Sequence, residues 1–390
     1  MGVSTRRSAV SGGIAQVGAA ALVVAALLAA ACSGDRGGDE TVPVPPVPVP
    51  PVPVTPVACT LGAAPLDDLL VPPCGVLLGT IDPPNGDLPI DLAHQEAALS
   101  ELVGAAPGNG FAFDLVRTYQ AGSTGAAEAV AARLESAASA GRIAYLSWKV
   151  DVGEGAWARV ATGGFDPVVV DVAEVVASSG RRVFLSLHHE PENDGDVGTP
   201  EEYVAMWRHV HDLVEATLAA SAGSGRVVWV MNYMGHVDGA ALDTVDRYYP
   251  GEAYVDWLAY NPYNWAGCHA GAQWRGFVEV AAPLYTYFTT NPTFYDATGK
   301  PKPLMIGETG TNEDGEDGRK ARWLEDMAAS LTSGQLAAIK AVVYFNHGSP
   351  RFCDRMWDSS PSSAAAFAAI ATDPFFNPRG LDPGVGRPAD

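Results

Sequence analysis

Between residues 75 and 372, eight short apolar runs alternate with amphipathic segments whose apolar residues recur with the period of an α-helix. The runs are nearly continuous in apolar residues, which is typical of strands buried on both faces of a parallel sheet. This eightfold alternation predicts an α/β protein of the (β/α)8, or TIM, barrel class. An open doubly wound sheet is the alternative, but it calls for a glycine-rich phosphate turn after the first strand, and "GTIDPPNGD" provides none.

The predicted strands are six to eight residues long and are bounded by turn-forming or helical segments. In chain order they are 75–81, 112–119, 143–150, 182–189, 226–232, 256–263, 303–308 and 341–346. Helices are predicted at 91–104, 125–141, 167–180, 199–220 and 318–331, among others. The start of the helix at 199–220 is the best defined, because Thr199 is a good N-cap, Pro200 suits the first helical position and Glu202 completes a capping box.

The first 31 residues have the features of an export signal. Arg6 and Arg7 precede an apolar stretch rich in Ala, Val and Leu, and the small residues of "LLAAACSGD" lead into Cys32. The ending resembles a bacterial lipobox, which implies cleavage before Cys32 and attachment of lipid to its thiol. A plain secretory signal is the alternative. A membrane-spanning helix is disfavoured, because it needs about 20 strongly hydrophobic residues without interruption.

Residues 32–57 are predicted to be the lipidated cysteine and a linker, since eight of the sixteen residues in 42–57 are proline. Such a segment adopts extended polyproline II at ~3.1 Å per residue and acts as a semi-rigid spacer. A ligand for a proline-binding domain is the alternative interpretation. Residues 58–390 are then the barrel domain, exported and either anchored by lipid at the bacterial cell surface or secreted.

Four cysteines remain once Cys32 is assigned to lipid. An even number in an oxidising compartment favours disulfides, and the spacing matches no zinc pattern. We expect the pairs Cys59–Cys74 and Cys268–Cys353, although three connectivities exist and free buried thiols are the alternative.

The formal net charge is −21. Nucleic acids and anionic membrane surfaces require a basic face, so the charge argues against both as partners. A neutral or cationic substrate is favoured instead.

Two histidines and an acid follow the fourth predicted strand in "VFLSLHHEPEND". Strict alternation would put Ser186, His188 and Glu190 on one side and Leu187 and His189 on the other. Because chemistry in a (β/α)8 barrel gathers at the carboxyl ends of the strands, this cluster is a candidate site. A metal site is disfavoured, since adjacent strand histidines point apart and no helical His-Glu-x-x-His motif occurs. A paired structural carboxylate is the other alternative.

A second acid, Glu308, closes the seventh strand in "KPLMIGETGT". Strands four and seven face each other across a barrel mouth, so Glu190 and Glu308 can share one gap. Two carboxyls about 5 Å apart suit retaining glycoside hydrolysis, in which one acts as acid and then base while the other attacks the anomeric carbon.

The sequence resembles clan A glycoside hydrolases, and in detail glycoside hydrolase family 26, best known for endo-β-1,4-mannanases. The matching stretches cover most of 75–372 in the right order. They are "WKV", "TGGFDPVVVDVAEVVASSGRRVFLSLHHE", "WRHVHDLV", "VVWVMNY", "YYPGEAYVDWLAYNPYNW", "KPLMIGETGT", "KARWLEDM" and "IKAVVYFN".

The resemblance implies that Glu190 is the acid/base and Glu308 the nucleophile. It also implies that His189 lines the subsite of bond cleavage and that Tyr263 contacts the nucleophile. One departure concerns substrate specificity. Family members commonly continue from the acid/base as His-Glu-Met-Asn-Gly and then a tryptophan, whereas this chain has Pro191 in place of the methionine and lacks the tryptophan.

Further candidates for sugar contact lie near or beyond the predicted strand ends. Trp148, Trp265 and Trp357 could stack on pyranose rings, with loop packing as the alternative. Arg117 and Asn232 could donate hydrogen bonds to sugar hydroxyls, with loop anchoring as an equal alternative.

The sequence therefore predicts a monomeric, lipid-anchored endo-β-1,4-mannanase that needs no cofactor or metal, with a β-linked polysaccharide as its partner. Xylan and mixed-linkage β-glucan are alternative substrates, and a non-catalytic glycan-binding lipoprotein is the alternative from another class. Calcium binding by the acidic loop "TNEDGEDG" is left open.

Overall fold

The computed structural model describes residues 65–82, 92–104, 113–235, 242–349 and 353–378. Eight parallel strands pair in chain order and the last pairs with the first, so the predicted (β/α)8 barrel is confirmed. The strands are β1 (Leu77–Ile81), β2 (Leu115–Ala121), β3 (Ile143–Lys149), β4 (Arg182–Leu187), β5 (Arg226–Met234), β6 (Trp257–Asn261), β7 (Leu304–Thr309) and β8 (Ile339–Tyr344). The predicted signal peptide, Cys32, the linker and Cys59 lie outside the described residues.

Helices cover the outside of the barrel. They are α1 (Leu92–Leu102), α2 (Ala126–Ser139), α3 (Ala156–Ala161), α4 (Asp166–Ser179), α5 (Pro200–Ala220), α6 (Leu242–Arg247), α7 (Phe277–Thr290), α8 (Arg319–Thr332) and α9 (Pro361–Thr372). Helix α5 begins at Pro200 with the predicted capping box: the Glu202 amide donates to Thr199 Oγ1 at 3.2 Å, and the Thr199 amide donates to Glu202 Oε2 at 2.8 Å. Among the described helices, none combines the length and apolar character needed to cross a membrane.

The interior of the barrel changes from apolar to polar along the strands. Its first layers are filled by apolar side chains that include Leu77, Leu115, Phe184, Trp257 and Met305. Further along the same strands, alternation brings polar residues to the inner face, namely Arg117, Ser147, Ser186, Asn232 and Asn261. The carboxyl ends of the strands therefore carry the barrel's polar chemistry.

A β-bulge lies in β7. Ile306 pairs with Val342 and Thr309 pairs with Tyr344, so three steps along β7 match two along β8. The extra residue lets Gly307 and Glu308 both face the barrel interior, as the contacts of Glu308 described below show. Strict alternation would have turned one of them outward.

The end of β4 departs from the predicted alternation. His188 and Glu190 have φ of 47° and 54°, in the left-handed region that residues with side chains seldom adopt. As a result His188 points outward to Trp157, while His189 points inward to Ser147. The expectation that Ser186, His188 and Glu190 share one face is therefore wrong, because strand geometry ends at Leu187.

A disulfide joins two loops at the carboxyl end of the barrel. Cys268, in the loop after β6, is bonded to Cys353, the first residue of β10 (Cys353–Asp354), which pairs with β9 (Gly348–Ser349) after β8. This predicted pair is confirmed. Cys74 is half-buried, and its pairing with Cys59 stays a prediction.

Candidate active site

Glu308 accepts two hydrogen bonds and forms one ion pair inside the barrel. The hydroxyl of Tyr119 donates to Oε1 and that of Tyr263 to Oε2, both at 2.8 Å, and Nη1 of Arg117 lies 3.2 Å from Oε1. Burial raises the pKa of Tyr119 and of Tyr263 well above the usual value, so both hydroxyls keep their protons and donate. Both oxygens of this carboxyl thus have fixed partners, and the contact with Tyr263 is the one that the family resemblance implies.

Arg117 anchors Glu308 from β2. It also donates to the Gly307 carbonyl at 2.8 Å, and its guanidinium lies 5.0 Å and 4.7 Å from the ring centres of Tyr119 and Tyr145. Burial by itself lowers the pKa of Arg117. The tyrosines and carboxyls around the guanidinium outweigh this effect, so the pKa is raised overall. A permanent positive charge therefore sits beside the carboxylate.

Glu190 is held in a different setting. Nδ2 of Asn261 donates to its Oε1 at 2.6 Å, and its own amide donates to the carbonyl of Asn232 at 2.8 Å. Burial, followed by the negative charge of Glu308, raises the pKa of Glu190 to about 7, against the opposing effects of Asn261 and two nearby cations. This carboxyl therefore holds a proton at a pH where an ordinary glutamate has lost it.

Gly307 lies against the side chains that hold the two acids. A Cβ at this position would lie 2.5 Å from Asn232 Oδ1, 2.8 Å from Asn261 Oδ1 and 3.0 Å from Arg117 Nη1. Asn261, which holds one acid, and Arg117, which holds the other, therefore both pack against the same residue of β7. The absence of a side chain at Gly307 is what allows this approach.

His189 lies on the inner side of the site, and the subsite role that the resemblance implies stays a prediction. Its Nδ1 is 2.7 Å from Ser147 Oγ, and its ring packs edge-on against Tyr119 with centroids 5.5 Å apart. Burial, together with the charges of Arg117 and Lys149, lowers the pKa of His189 well below its usual value. The ring is therefore neutral, and it is half-buried.

Two of the predicted sugar-stacking residues lie outside the site. Trp148 is 1% exposed, packs in the layer between barrel and helices, and donates to the carbonyl of Gly122 at 3.2 Å. Trp357 is also 1% exposed and stacks on Phe367. The expectation of sugar contact is wrong for both, because neither presents a ring face to solvent. Packing inside the protein accounts for both, which is closest to the loop-packing alternative.

Trp265 remains at the edge of the site. It is half-buried, and its ring centre lies 5.1 Å from that of Tyr263. His269 stacks on its indole at 4.4 Å, and the guanidinium of Arg355 lies 4.5 Å from its ring centre and 4.3 Å from that of Tyr263. Trp265 is thus packed with the tyrosine that contacts Glu308.

Arg117 and Asn232 are fully buried. The prediction that either side chain contacts sugar directly is therefore wrong. Asn232 accepts from the hydroxyl of Tyr145 at 3.1 Å and donates to Asn261 Oδ1 at 3.0 Å. Arg117 instead pairs with Glu308 itself, and Asn232 holds Asn261, the partner of Glu190, which is closer to the anchoring alternative.

Sequence reasoning missed Tyr119 and Asn261, although a signal for each was present. Tyr119 lies two residues after Arg117 on β2, and Asn261 lies two residues before Tyr263 at the end of β6. Strand periodicity puts each on the same face as a residue that was singled out.

Glu192 is a third acid near the site that sequence reasoning left unassigned. Its two carboxyl oxygens lie 3.2 and 3.3 Å from the amide nitrogen of Met234. Burial raises the pKa of Glu192 to about 8, and the charge of Glu190 acts in the same direction. No sequence signal distinguished this carboxyl from a solvated loop residue.

Two acids of the loop 311–318, Asp314 and Glu316, pair with arginines. Arg319 lies 2.9 Å from Asp314 and 3.2 Å from Glu316, and Arg322 lies 2.6 Å from Glu316. Among the residues that the structure describes, no group of three or more His, Cys, Asp or Glu side chains is arranged to hold a metal ion.

The fold and the site together define a (β/α)8 barrel with carboxyls at the ends of β4 and β7. No protein-family model matches the chain. It is 25% identical over 260 residues to Endoglucanase H of Acetivibrio thermocellus. The aligned region covers 57% of this chain and 25% of that protein. The chain thus spans about a quarter of the length of the curated relative it matches.

Two solved structures are similar over most of the chain. GH26C from Muricauda sp. has a TM-score of 0.56 at 12% identity, covering 79% of this chain and 88% of that one. A GH26 β-mannanase from Bacteroides ovatus has a TM-score of 0.51 at 17% identity, covering 78% and 90%. The resemblance to glycoside hydrolase family 26 is therefore confirmed at the level of the fold.

Proposed function

We propose that this chain is a retaining glycoside hydrolase that cleaves internal β-1,4-mannosidic bonds in mannan-type polysaccharides. The observation that carries the proposal is the unequal setting of two carboxyls. Glu308 faces three donors, which are the partners of a carboxylate, whereas burial and the charge of Glu308 raise the pKa of Glu190 to about 7. Double displacement needs one ionised and one protonated carboxyl.

In the proposed first step, Glu308 attacks the anomeric carbon while Glu190 gives its proton to the glycosidic oxygen. The leaving chain departs as an alcohol, and a glycosyl ester of Glu308 forms. In the second step, ionised Glu190 takes a proton from water, the water oxygen attacks the anomeric carbon, and Glu308 is released. Each attack inverts the anomeric centre, so the product keeps the β configuration.

The donors around Glu308 have a role in both steps. The hydroxyls of Tyr119 and Tyr263 and the charge of Arg117 stabilise the carboxylate before attack and when it leaves again. Neutral His189, beside Tyr119, is available as a hydrogen-bonding group that lines the reacting sugar.

Mannan is the proposed substrate because the sequence resembles a family best known for mannanases, and because a GH26 β-mannanase is among the similar structures. A β-glucan is the second candidate, supported by the sequence similarity to Endoglucanase H. Xylan is the remaining alternative. The departure at Pro191 from the pattern of the family leaves the sugar preference open to test, so a substrate panel decides.

The experiment is release of reducing ends from mannan, xylan and lichenan by the parent protein and by Glu308→Ala. We expect release from at least one polysaccharide, with an early fall in viscosity that marks internal cleavage, and a loss of at least about 1,000-fold in Glu308→Ala. Proton NMR of the first product should show the β anomer before mutarotation. Binding without release by the parent would instead support the glycan-binding alternative.

We also propose that the protein is exported, carries lipid on Cys32 and acts as a monomer. The support for export and lipid attachment is the sequence pattern of residues 1–57. A spacer of this kind would hold the barrel away from the membrane, where a polysaccharide can reach the carboxyl ends of its strands.

A further inference from the structure

One carboxylate holds both ends of the segment 188–194, which carries Glu190 away from β4. Asp194 Oδ2 lies 2.7 Å from Nε2 of His188 and forms an ion pair with Nζ of Lys149, the last residue of β3. Burial raises the pKa of Asp194, but the hydrogen bond from His188 and the charge of Lys149 outweigh it and lower the pKa. Asp194 is therefore ionised at neutral pH and accepts from both partners.

His188 is a fixed anchor for this carboxylate. Its amide donates to the carbonyl of Trp148 at 2.9 Å, and its buried ring packs edge-on against Trp157 with centroids 5.1 Å apart. Burial lowers the pKa of His188, so the ring is neutral and carries one N–H. Since the partner of Nε2 is an ionised carboxylate, that N–H is on Nε2 and points at Asp194.

The backbone between the anchors adopts an uncommon conformation. His188 and Glu190 both have positive φ, the Glu190 amide donates to the Asn232 carbonyl at 2.8 Å, and the Asn193 amide donates to the Glu190 carbonyl at 3.0 Å. Such residues persist only where the surroundings fix them. The contacts of Asp194 close this segment onto β3 and the end of β4.

We propose that Asp194 is a positioning residue for Glu190, because its contacts with His188 and Lys149 fix the segment that aims the Glu190 carboxyl at Asn261 and the barrel mouth. The expected changes in kcat and in its pH profile rest on the proposed function. The expected change in hydrogen exchange at the Glu190 amide does not. Asp194 also pairs with Lys149, whose charge lowers the pKa of Glu190.

The first test compares Asp194→Ala with the parent on the polysaccharide that the parent cleaves. We expect kcat to fall roughly 10- to 100-fold, because a displaced acid/base reacts poorly, while KM changes little. Asp194→Asn, which keeps an acceptor for His188 but loses the charge, should show a smaller loss. The control is Arg159→Met, which breaks the exposed Asp151–Arg159 ion pair of 2.6 Å and should leave kcat unchanged.

The second test is the pH profile of kcat. The charged or titratable groups that interact with Glu190 are Glu308, Arg117, Lys149, Glu192 and Tyr263. Lys149→Met removes a charge that favours ionised Glu190, so the basic limb should move to higher pH. Asp194→Ala leaves Lys149 unneutralised, so the limb should move to lower pH. A purely structural ion pair would lower the melting temperature of both variants without these opposite shifts.

The third test does not depend on activity. Hydrogen exchange at the Glu190 amide should be faster in Asp194→Ala than in the parent, and unchanged in Arg159→Met. Unchanged exchange and unchanged kcat in Asp194→Ala would overturn the proposal, and if that variant does not fold, Asp194→Asn decides by the same criteria. A parent that cleaves no polysaccharide would refute the proposed function, while the exchange result would still decide the positioning role.

Discussion

The guanidinium of Arg117 lies 3.2 Å from Oε1 of Glu308, and the two side chains are 0% and 9% exposed. The pair crosses the barrel from β2 to β7. Its geometry depends on the β-bulge that turns Glu308 inward and on Gly307, whose carbonyl accepts a hydrogen bond from Arg117. The candidate nucleophile is thus held by a buried cation on an opposing strand.

Replacing this cation should destabilise the fold as well as abolish activity. Arg117→Met leaves the Glu308 carboxylate buried without its ion-pair partner, which costs about 3–5 kcal/mol. Urea denaturation at pH 7 measures the loss. Arg117→Met/Glu308→Gln, in which the uncompensated charge is also removed, should recover part of it. An equal loss in both variants would contradict the ion-pair explanation.

The two tyrosine hydroxyls should each contribute to the rate. A hydrogen bond to a charged group contributes about 1.5–3 kcal/mol, so Tyr119→Phe and Tyr263→Phe should each lower kcat/KM roughly 10- to 150-fold. Tyr260→Phe is the matched control, because its hydroxyl donates to the Ala281 carbonyl on the outer side of β6. Losses of the same size in all three variants would indicate general destabilisation.

The pKa of Glu190 sets the pH dependence. The raised pKa of about 7 means that the protonated acid is present below that pH, so kcat should fall as pH rises through about 7. The same shift favours the folded state below the ordinary glutamate pKa, and this stabilisation is lost as pH rises to about 7. Glu190→Gln should therefore raise the melting temperature relative to the parent more at pH 8 than at pH 5. A pH-independent difference would contradict this.

Gly307 should tolerate no side chain. In Gly307→Ala the added methyl would meet Asn232, Asn261 and Arg117 at 3.0 Å or less, and overpacking of this kind costs about 1–3 kcal/mol. Chemical denaturation measures the cost, and activity should fall as well because these residues hold both acids. Gly195→Ala is the control, since a Cβ there meets nothing within 4 Å.

The proposed attachment of lipid to Cys32 can be tested in a bacterial host that processes lipoproteins. The parent should incorporate labelled palmitate and sediment with membranes, whereas Cys32→Ser should do neither. Labelling that persists in Cys32→Ser, or a soluble and unlabelled parent, would contradict lipid attachment at this residue.

Much of the architecture follows from sequence periodicity. The eight strands and the cap of α5 could be predicted because apolar runs and capping residues report local structure directly. The positions of Glu190 and Glu308 at strand ends followed from the same pattern, and Cys268–Cys353 was one of the expected pairs.

The orientation of individual side chains could not be predicted in the same way. A bulge in β7 and two positive-φ residues after β4 break the alternation on which the prediction relied, and tertiary contacts rather than residue type fix both. Trp148 and Trp357 were misassigned because a tryptophan near a strand end can pack outward as readily as inward.

The most direct test of the central claim is to trap the covalent intermediate. A β-glycoside of the cleaved sugar, with fluorine at C2 and an activated leaving group, should inactivate the enzyme, and mass spectrometry of the peptides should find the fluoroglycosyl group on Glu308. Label on another residue, or inverted product formed without any labelling, would contradict double displacement through Glu308.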